Sequence, residues 1–439
     1  MNKSDSTPIY SALLYYLKQS NARFHTPAHN GKDMDGLLYS NAIMDITELD
    51  FDIKSGYSSI EKAVEQGEKL AEQIYGLSSF FLTDGGSCAV TIIMNMLTHY
   101  GNRILVGENC HKSIYANARL LGFIVDCVSN EKICSRLSEY DYAGVIITSP
   151  NYYGECVEYS EIASKAREKD IKVVIDISHG AHFPYGNNLP FLNMKGVDMA
   201  ICSVHKTLPT YTSSAILLVD SNLSNLANYY KLAIHSTSPS YIQLASIDYA
   251  RAYMLENGDR LYKELENRLN KFKAVINETI FCIRKNDDFT RVVIDCGAKC
   301  GYAVNAELSK RGIYAEMAID NLVVLIVTPF NMEDLNKVAE ALIDIEQNVL
   351  LDNYVDNYIS LDYTNLKMTN DNIPIRQRIK FVRIENAKDY VLASEIGIYP
   401  PSTVMYKSGD IIDKKMQDFL IENKKHIFGL VKELVPVLE

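Results

Sequence analysis

Long apolar runs are missing from this chain of 439 residues: none approaches the length of a membrane span. The start, Met1-Asn2-Lys3-Ser4-Asp5-Ser6, has no apolar core of the secretory kind, so a cytoplasmic protein without a membrane partner is expected. Paired C-x-x-C knuckles are missing too. The nine cysteines are scattered and odd in number, which argues against a disulfide framework or a structural zinc site. Cys110 stands before His111, yet no further ligand lies at helical or hairpin spacing, so no metal is expected. Basic charge is in deficit. The 44 Lys and Arg against 55 Asp and Glu leave a net charge of −11, which disfavours nucleic acid and anionic membranes as partners. There is no internal repeat or low-complexity tract.

What is present is an ordinary globular composition, 47% apolar and 23% charged, in a chain long enough for two or three domains. Residues 8–18 read as a helix, followed by an irregular arm that carries His25 and His29. Ile60, Ala63, Val64, Gly67, Leu70, Ala71 and Ile74 recur at i, i+3, i+4 and i+7 spacing, which predicts an amphipathic helix. From Phe80 onward, short apolar runs alternate with helical patterns, at residues 80–82, 104–106, 123–125, 145–147, 173–175, 199–202 and 215–219. That alternation predicts an α/β fold: a mostly parallel sheet of crossover units with helices on both faces. Residues 249–278 read as a long, charge-rich helix. Apolar runs at 291–295 and 322–327 bracket a helix near 305–310, suggesting a smaller α+β domain, and a weaker pattern follows residue 346. The expected division is therefore 1–55, an N-terminal helix and arm; 56–255, a large domain; 256–345, a small α+β domain; and 346–439, a C-terminal domain.

Residues suited to chemistry gather at the ends of these predicted strands. Lys206 follows the run 199–202 in Ser203-Val204-His205-Lys206-Thr207, and Asp176 follows the run 173–175. In open α/β sheets, ligands bind beyond the carboxyl ends of the strands. An amine and an acid there are what pyridoxal phosphate needs: the lysine holds the aldehyde as a Schiff base, and the carboxylate keeps the pyridine nitrogen protonated. Alone, each has a plainer reading, a solvated lysine and a helix-capping aspartate. Gly85, Gly86 and Ser87 open the apolar helix that follows residue 89, where backbone N–H groups and the Ser87 hydroxyl can meet a phosphate. This Gly-Gly-Ser is equally a turn, and it is neither a Walker A loop nor G-x-G-x-x-G, so a nucleoside triphosphate or dinucleotide is poorly supported. His111 can stack on a planar cofactor, or simply bond backbone in its loop. His205 and Ser203 can complete a phosphate cup, and His179 can bond Asp176 or a cofactor oxygen. His182 and His235 are read as structural. Glu395 is a solvated carboxylate unless it lies in a cleft.

The stretch Ser203-Val204-His205-Lys206-Thr207-Leu208-Pro209 resembles the lysine motif of the class-I Orn/Lys/Arg decarboxylases, which are fold-type-I pyridoxal phosphate enzymes of aspartate-aminotransferase-like architecture. The similarity extends to Phe24-His25-Thr26-Pro27-Ala28-His29, residues 45–49, the Gly85-Gly86-Ser87 loop, Cys110-His111-Lys112-Ser113 and residues 176–182. It is fainter at Ala393-Ser394-Glu395 and Tyr399-Pro400-Pro401. The length is similar to that of short members lacking an amino-terminal wing domain. The resemblance implies Lys206 as the Schiff-base lysine, Asp176 at the pyridine nitrogen and His111 on the ring. It further implies Gly86, Ser87, Ser203 and His205 around the phosphate, and Glu395 near the substrate's distal group. It also implies a homodimer, with the arm bearing His25 and His29 as a contributor to the site. Three departures stand out: Ile177-Ser178 replace an acid and an alanine, Gly86 replaces a threonine, and Ser402-Thr403-Val404 replace Gly-Ile-Pro. The last bears on substrate identity.

The leading expectation is decarboxylation of arginine, lysine or ornithine to the corresponding amine, with Lys206, Asp176 and His111 as the catalytic groups. Aminotransferases usually grip the substrate's α-carboxylate with a small-domain arginine, and Ile326-Val327-Thr328-Pro329 offers none. Elimination or racemisation with the same cofactor, and a cofactor-binding protein without turnover, are the alternatives.

Overall fold

A computed structural model of the chain describes residues 6–17, 60–351, 378–398, 403–424 and 426–439. The arm with His25 and His29, residues 45–49 and the segment 399–402 lie outside the described residues.

Helix α1 (Pro8–Leu17) opens with a proline, whose missing N–H costs nothing in the first turn. The next donors, Ile9 N and Tyr10 N, reach the buried Asp248 carboxylate at 2.9 and 3.3 Å, and Arg251 pairs with the same group at 2.8 Å. Of the expected stripe, helix α2 (Ile60–Tyr75) buries Ile60, Ala63, Gly67, Leu70 and Ala71, with Val64 and Ile74 half-buried.

Seven strands form the large sheet: β1 (Ser78–Leu82), β2 (Arg103–Gly107), β3 (Ile124–Val128), β4 (Gly144–Thr148), β5 (Lys172–Asp176), β6 (Met199–Cys202) and β7 (Ala215–Val219). Their order is β1-β7-β6-β5-β4-β2-β3. Every residue of β4, β6 and β7 is buried, which is why these strands read as unbroken apolar runs: side chains on both faces are covered. Strand β2 runs parallel to β3 and β4, and β4 parallel to β5. Strand β7 is the exception, antiparallel to both β1 and β6. The α/β class with a mostly parallel sheet is thus as expected; the reversed strand is not written in the apolar runs, which carry no direction.

By internal contacts the described residues fall into two compact units, one drawn from 1–93 and 177–263, the other from 94–176 and 264–439. In the first, the reversal of β7 has a direct consequence. Leu82 faces Ala215 and Cys202 faces Ile216, so the loops leaving β1 and β6 share one sheet edge with the loop entering β7. Helix α3 (Gly85–Leu97) starts at that edge.

In the second unit, Thr148 and Asp176 end β4 and β5 side by side, and helix α4 (Lys112–Leu121) follows β2. This unit also holds an antiparallel four-stranded sheet of β8 (Cys282–Ile283), β9 (Arg291–Asp295), β10 (Met317–Ile319) and β11 (Leu322–Ile326), in the order β10-β11-β9-β8. Helix α8 (Gly301–Lys310), later in the chain than α5 (Ser160–Glu168), α6 (Ser224–Ile234) and α7 (Tyr241–Ile276), lies between β9 and β10 in sequence. Strands β12 (Ile379–Arg383), β13 (Ile396–Ile398), β14 (Thr403–Tyr406), β15 (Ile427–Phe428) and β16 (Leu434–Leu438) pair as β12-β16 and β14-β13-β15 around Leu392, Ile396, Ile412, Leu420 and Val437. Among the described residues, no helix is long and apolar enough to cross a membrane.

Candidate active site

The lysine loop is rigidly seated. Ser203, 4% exposed, begins a single 3-10 turn, Val204–Lys206, closed by Lys206 N donating to Ser203 O at 3.2 Å. His205 Nδ1 lies 3.0 Å from the Ser214 carbonyl. A carbonyl only accepts, so Nδ1 carries the ring proton and the imidazole is fixed by that nitrogen. Lys206 Nζ stands 3.1 Å from His179 Nε2, joining two of the expected site residues. His179 is itself buried, on a turn where Gly180 N donates to Ile177 O and the Tyr75 hydroxyl donates to Ala181 O at 2.8 Å.

The glycine loop adjoins it. Gly85 has φ 79°, a left-handed conformation that favours glycine, and it turns the chain from β1 into α3. A Cβ placed on Gly86 would run into Ser203 Oγ, so the two expected phosphate residues are in close approach. The hydroxyls of Thr207 and Ser214 are buried and have no hydrogen-bond partner among the described residues. A glycine-lined helix start, an adjacent serine and a lysine amine form a donor set that fits pyridoxal phosphate: phosphate at the helix start, aldehyde at the amine.

His235, read from sequence as structural, supports this loop. Thr83 N donates to His235 Nε2 at 3.0 Å, and Asp84 accepts from Ser236 N at 2.8 Å. Burial holds His235 below the usual histidine range, which keeps Nε2 unprotonated and able to accept. Gln243 adds a bond to Thr212 O at 2.6 Å. The ties at Thr83 and Asp84 each span 152 residues of sequence and leave no local signal.

In the second unit, Asp176 is buried at the end of β5, and its carbonyl accepts from Ser149 N at 3.0 Å. His111 caps α4: its Nδ1 accepts from Ser113 N at 3.2 Å and lies 2.8 Å from Ser113 Oγ. The neutral ring therefore carries its proton on Nε2. Cys110 next to it is buried, with Thr148 Oγ1 donating to its sulfur at 3.5 Å, which fixes the start of α4 beside the end of β4. Burial pushes this thiol far up, so it is inert.

Glu395 is largely buried and paired with Arg119 in the last turn of α4, Oε2 to Nε 3.4 Å. The carboxylate that the resemblance assigns to a substrate cation thus meets a cation of the protein's own. Thr403 and Val404 continue as β14, opposite Ile398 and Gly397.

The model of the family "Orn/Lys/Arg decarboxylase, major domain" matches residues 7–124 and 118–295. The chain is similar to the uncharacterized protein YaaO of Bacillus subtilis (27% identity over 97% of each chain). It is also similar to an arginine decarboxylase of Bacillus anthracis, at 26% identity over 95% of this chain and 93% of that one. Among solved structures, the constitutive lysine decarboxylase of E. coli superposes with TM-score 0.77 at 17% identity, over 99% of this chain and 82% of the other, which shows the shared fold. With that family's major domain matched from residue 7 to residue 295, the chain belongs to the Orn/Lys/Arg decarboxylases, enzymes that work with pyridoxal phosphate.

Proposed function

We propose that the protein removes the α-carboxyl group of arginine, lysine or ornithine, taking up one proton and releasing CO2 and the corresponding amine, of the class that polyamine synthesis consumes. The observation that carries this reading is the Lys206 amine beside His179, on the same sheet edge as the glycine loop. Relatives named arginine decarboxylase, aligned over nearly the whole chain, support the substrate class.

Lys206 would hold the cofactor through its amine, while Gly86, Ser87, Ser203 and His205 would cup its phosphate. Asp176 would keep a proton on the ring nitrogen, His111 would lie on the ring face and His179 would orient the lysine. Pyridoxal phosphate, when bound, supplies an electron-poor ring that draws off the electron pair left at Cα as CO2 departs. Lys206 Nζ, or His111 through its Nε2 proton, would supply the proton that Cα takes up. Residues 56–255 would form the cofactor domain, 256–345 the small domain and 346–439 the C-terminal domain, behind the segment 1–55. The reading is of a cytoplasmic homodimer whose arm, with His25 and His29, completes the site. Light scattering on active protein at assay concentration should give twice the chain mass, and an active monomer would exclude this arrangement.

Glu395 would face the substrate's distal cation, exchanging Arg119 for it. Glu395→Gln should then raise KM for the basic substrate, costing about 2 kcal/mol in kcat/KM, the low end for a truncated charge pair because the group is not fully buried. Cofactor binding should not change. Arg119→Gln, which frees the carboxylate, should not share the loss. Wild-type kinetics in both variants would reduce Glu395 to a structural partner of Arg119.

A further inference from the structure

Ala181 follows His179 by two residues and is wholly buried, so its carbonyl needs a donor from within the protein. The turn that carries both residues hangs from β6 and closes on itself through backbone bonds: Ile177 N to Ile201 O and Gly180 N to Ile177 O at 2.8 Å, and Phe183 N to Gly180 O at 3.1 Å. None of these serves the Ala181 carbonyl. Its donor comes from the end of α2, where the Tyr75 hydroxyl bonds it at 2.8 Å across 106 residues of sequence.

Tyr75 is built into a fixed place. It is the buried last residue of α2, and Gly76, at φ 75°, ends the helix behind it with its N–H on Glu72 O at 2.8 Å. The Tyr185 ring packs edge-on against it, 6.4 Å between centroids. Burial, with the Tyr185 phenol and the Cys202 thiol alongside, holds the Tyr75 hydroxyl far above the usual phenol range, so it keeps its proton and donates at every working pH. A phenylalanine would fill the same core space, so packing alone does not call for the hydroxyl.

We propose that Tyr75 is a positioning residue: by holding the Ala181 carbonyl, it fixes the turn that sets His179 Nε2 against the Lys206 amine. The inference rests on the pyridoxal phosphate reading above and acts through His179. Lys206 must shed its ammonium proton before it condenses with an aldehyde, a step that releases water. A His179 nitrogen 3.1 Å away shifts the pH at which the amine does so, whichever ring nitrogen carries the proton. A turn free to drift would lose that influence.

The test needs no turnover. Pyridoxal phosphate is added to cofactor-free protein over a range of pH, and the rate at which the Schiff-base absorbance grows is recorded, with Lys206→Ala as the blank and circular dichroism to check folding. His179→Ala should move the midpoint of this profile by about one pH unit, the worth of one hydrogen bond to a charged amine. Tyr75→Phe should move it in the same direction by less, and so should Tyr75→Met, a second variant without the hydroxyl. Added to His179→Ala, Tyr75→Phe should shift it no further. Leu70→Ala, which loosens the packing of the same helix, should lower the melting temperature and leave the midpoint alone. A midpoint unmoved in His179→Ala or in both Tyr75 variants, a Tyr75→Phe shift undiminished in the His179→Ala background, or an equal shift in Leu70→Ala would overturn the proposal and leave the cofactor reading standing. Wild-type protein with no absorbance above the Lys206→Ala blank would overturn the cofactor reading and this inference with it.

Discussion

Lys206→Ala is expected to abolish measurable decarboxylation and the absorbance of bound cofactor, while leaving thermal stability close to wild type. Two losses combine. The amine that would hold the cofactor is gone, and so is the group best placed to move a proton to Cα, a role worth about 10²–10⁴-fold by itself. The fold should tolerate the change because the turn at Val204–Lys206 is closed by backbone groups, Lys206 N to Ser203 O, which alanine retains. The side chain's contact with His179 is a tie between functional groups rather than packing. Borohydride reduction followed by peptide mapping should tag Lys206 in the wild type. A tag on another lysine would refute the assignment.

Asp176→Asn should separate binding from chemistry. An amide matches the carboxylate in shape, and the bond from Ser149 N goes to the residue-176 carbonyl, so the end of β5 should persist. An amide cannot hold a proton on the ring nitrogen, however, and loss of one preorganised electrostatic partner costs about 10²–10³-fold in kcat. The variant should therefore still take up pyridoxal phosphate, with a shifted absorbance maximum, and turn over at a small fraction of the wild-type rate. Near-normal turnover would make Asp176 a structural residue.

The strands around these residues were legible because the sheet is covered on both faces. Runs such as Met199-Ala200-Ile201-Cys202 stay apolar without alternation, and their ends fall where the polar motifs begin. Strand direction was not legible. The reversal of β7 sets Leu82 opposite Ala215 and so joins the glycine loop to the lysine loop, yet Ala-Ile-Leu-Leu-Val reads the same either way. Contacts between distant residues were equally hidden. His235 looked structural by default, and only the fold sets its Nε2 against Thr83. Glu395 reads from its residues alone as a solvated carboxylate, and only the fold sets it against Arg119. Gly86 was read as a backbone donor in a phosphate loop; only the fold sets it against the Ser203 side chain.

The most direct measurement is CO2 release from arginine, lysine and ornithine by protein reconstituted with pyridoxal phosphate, with the amine product and proton uptake followed together. One of the three should yield CO2, amine and consumed protons in equal amounts, and Lys206→Ala should yield none. A protein that carries the cofactor, sensitive to borohydride, yet releases no CO2 from any of them would contradict decarboxylation of a basic amino acid.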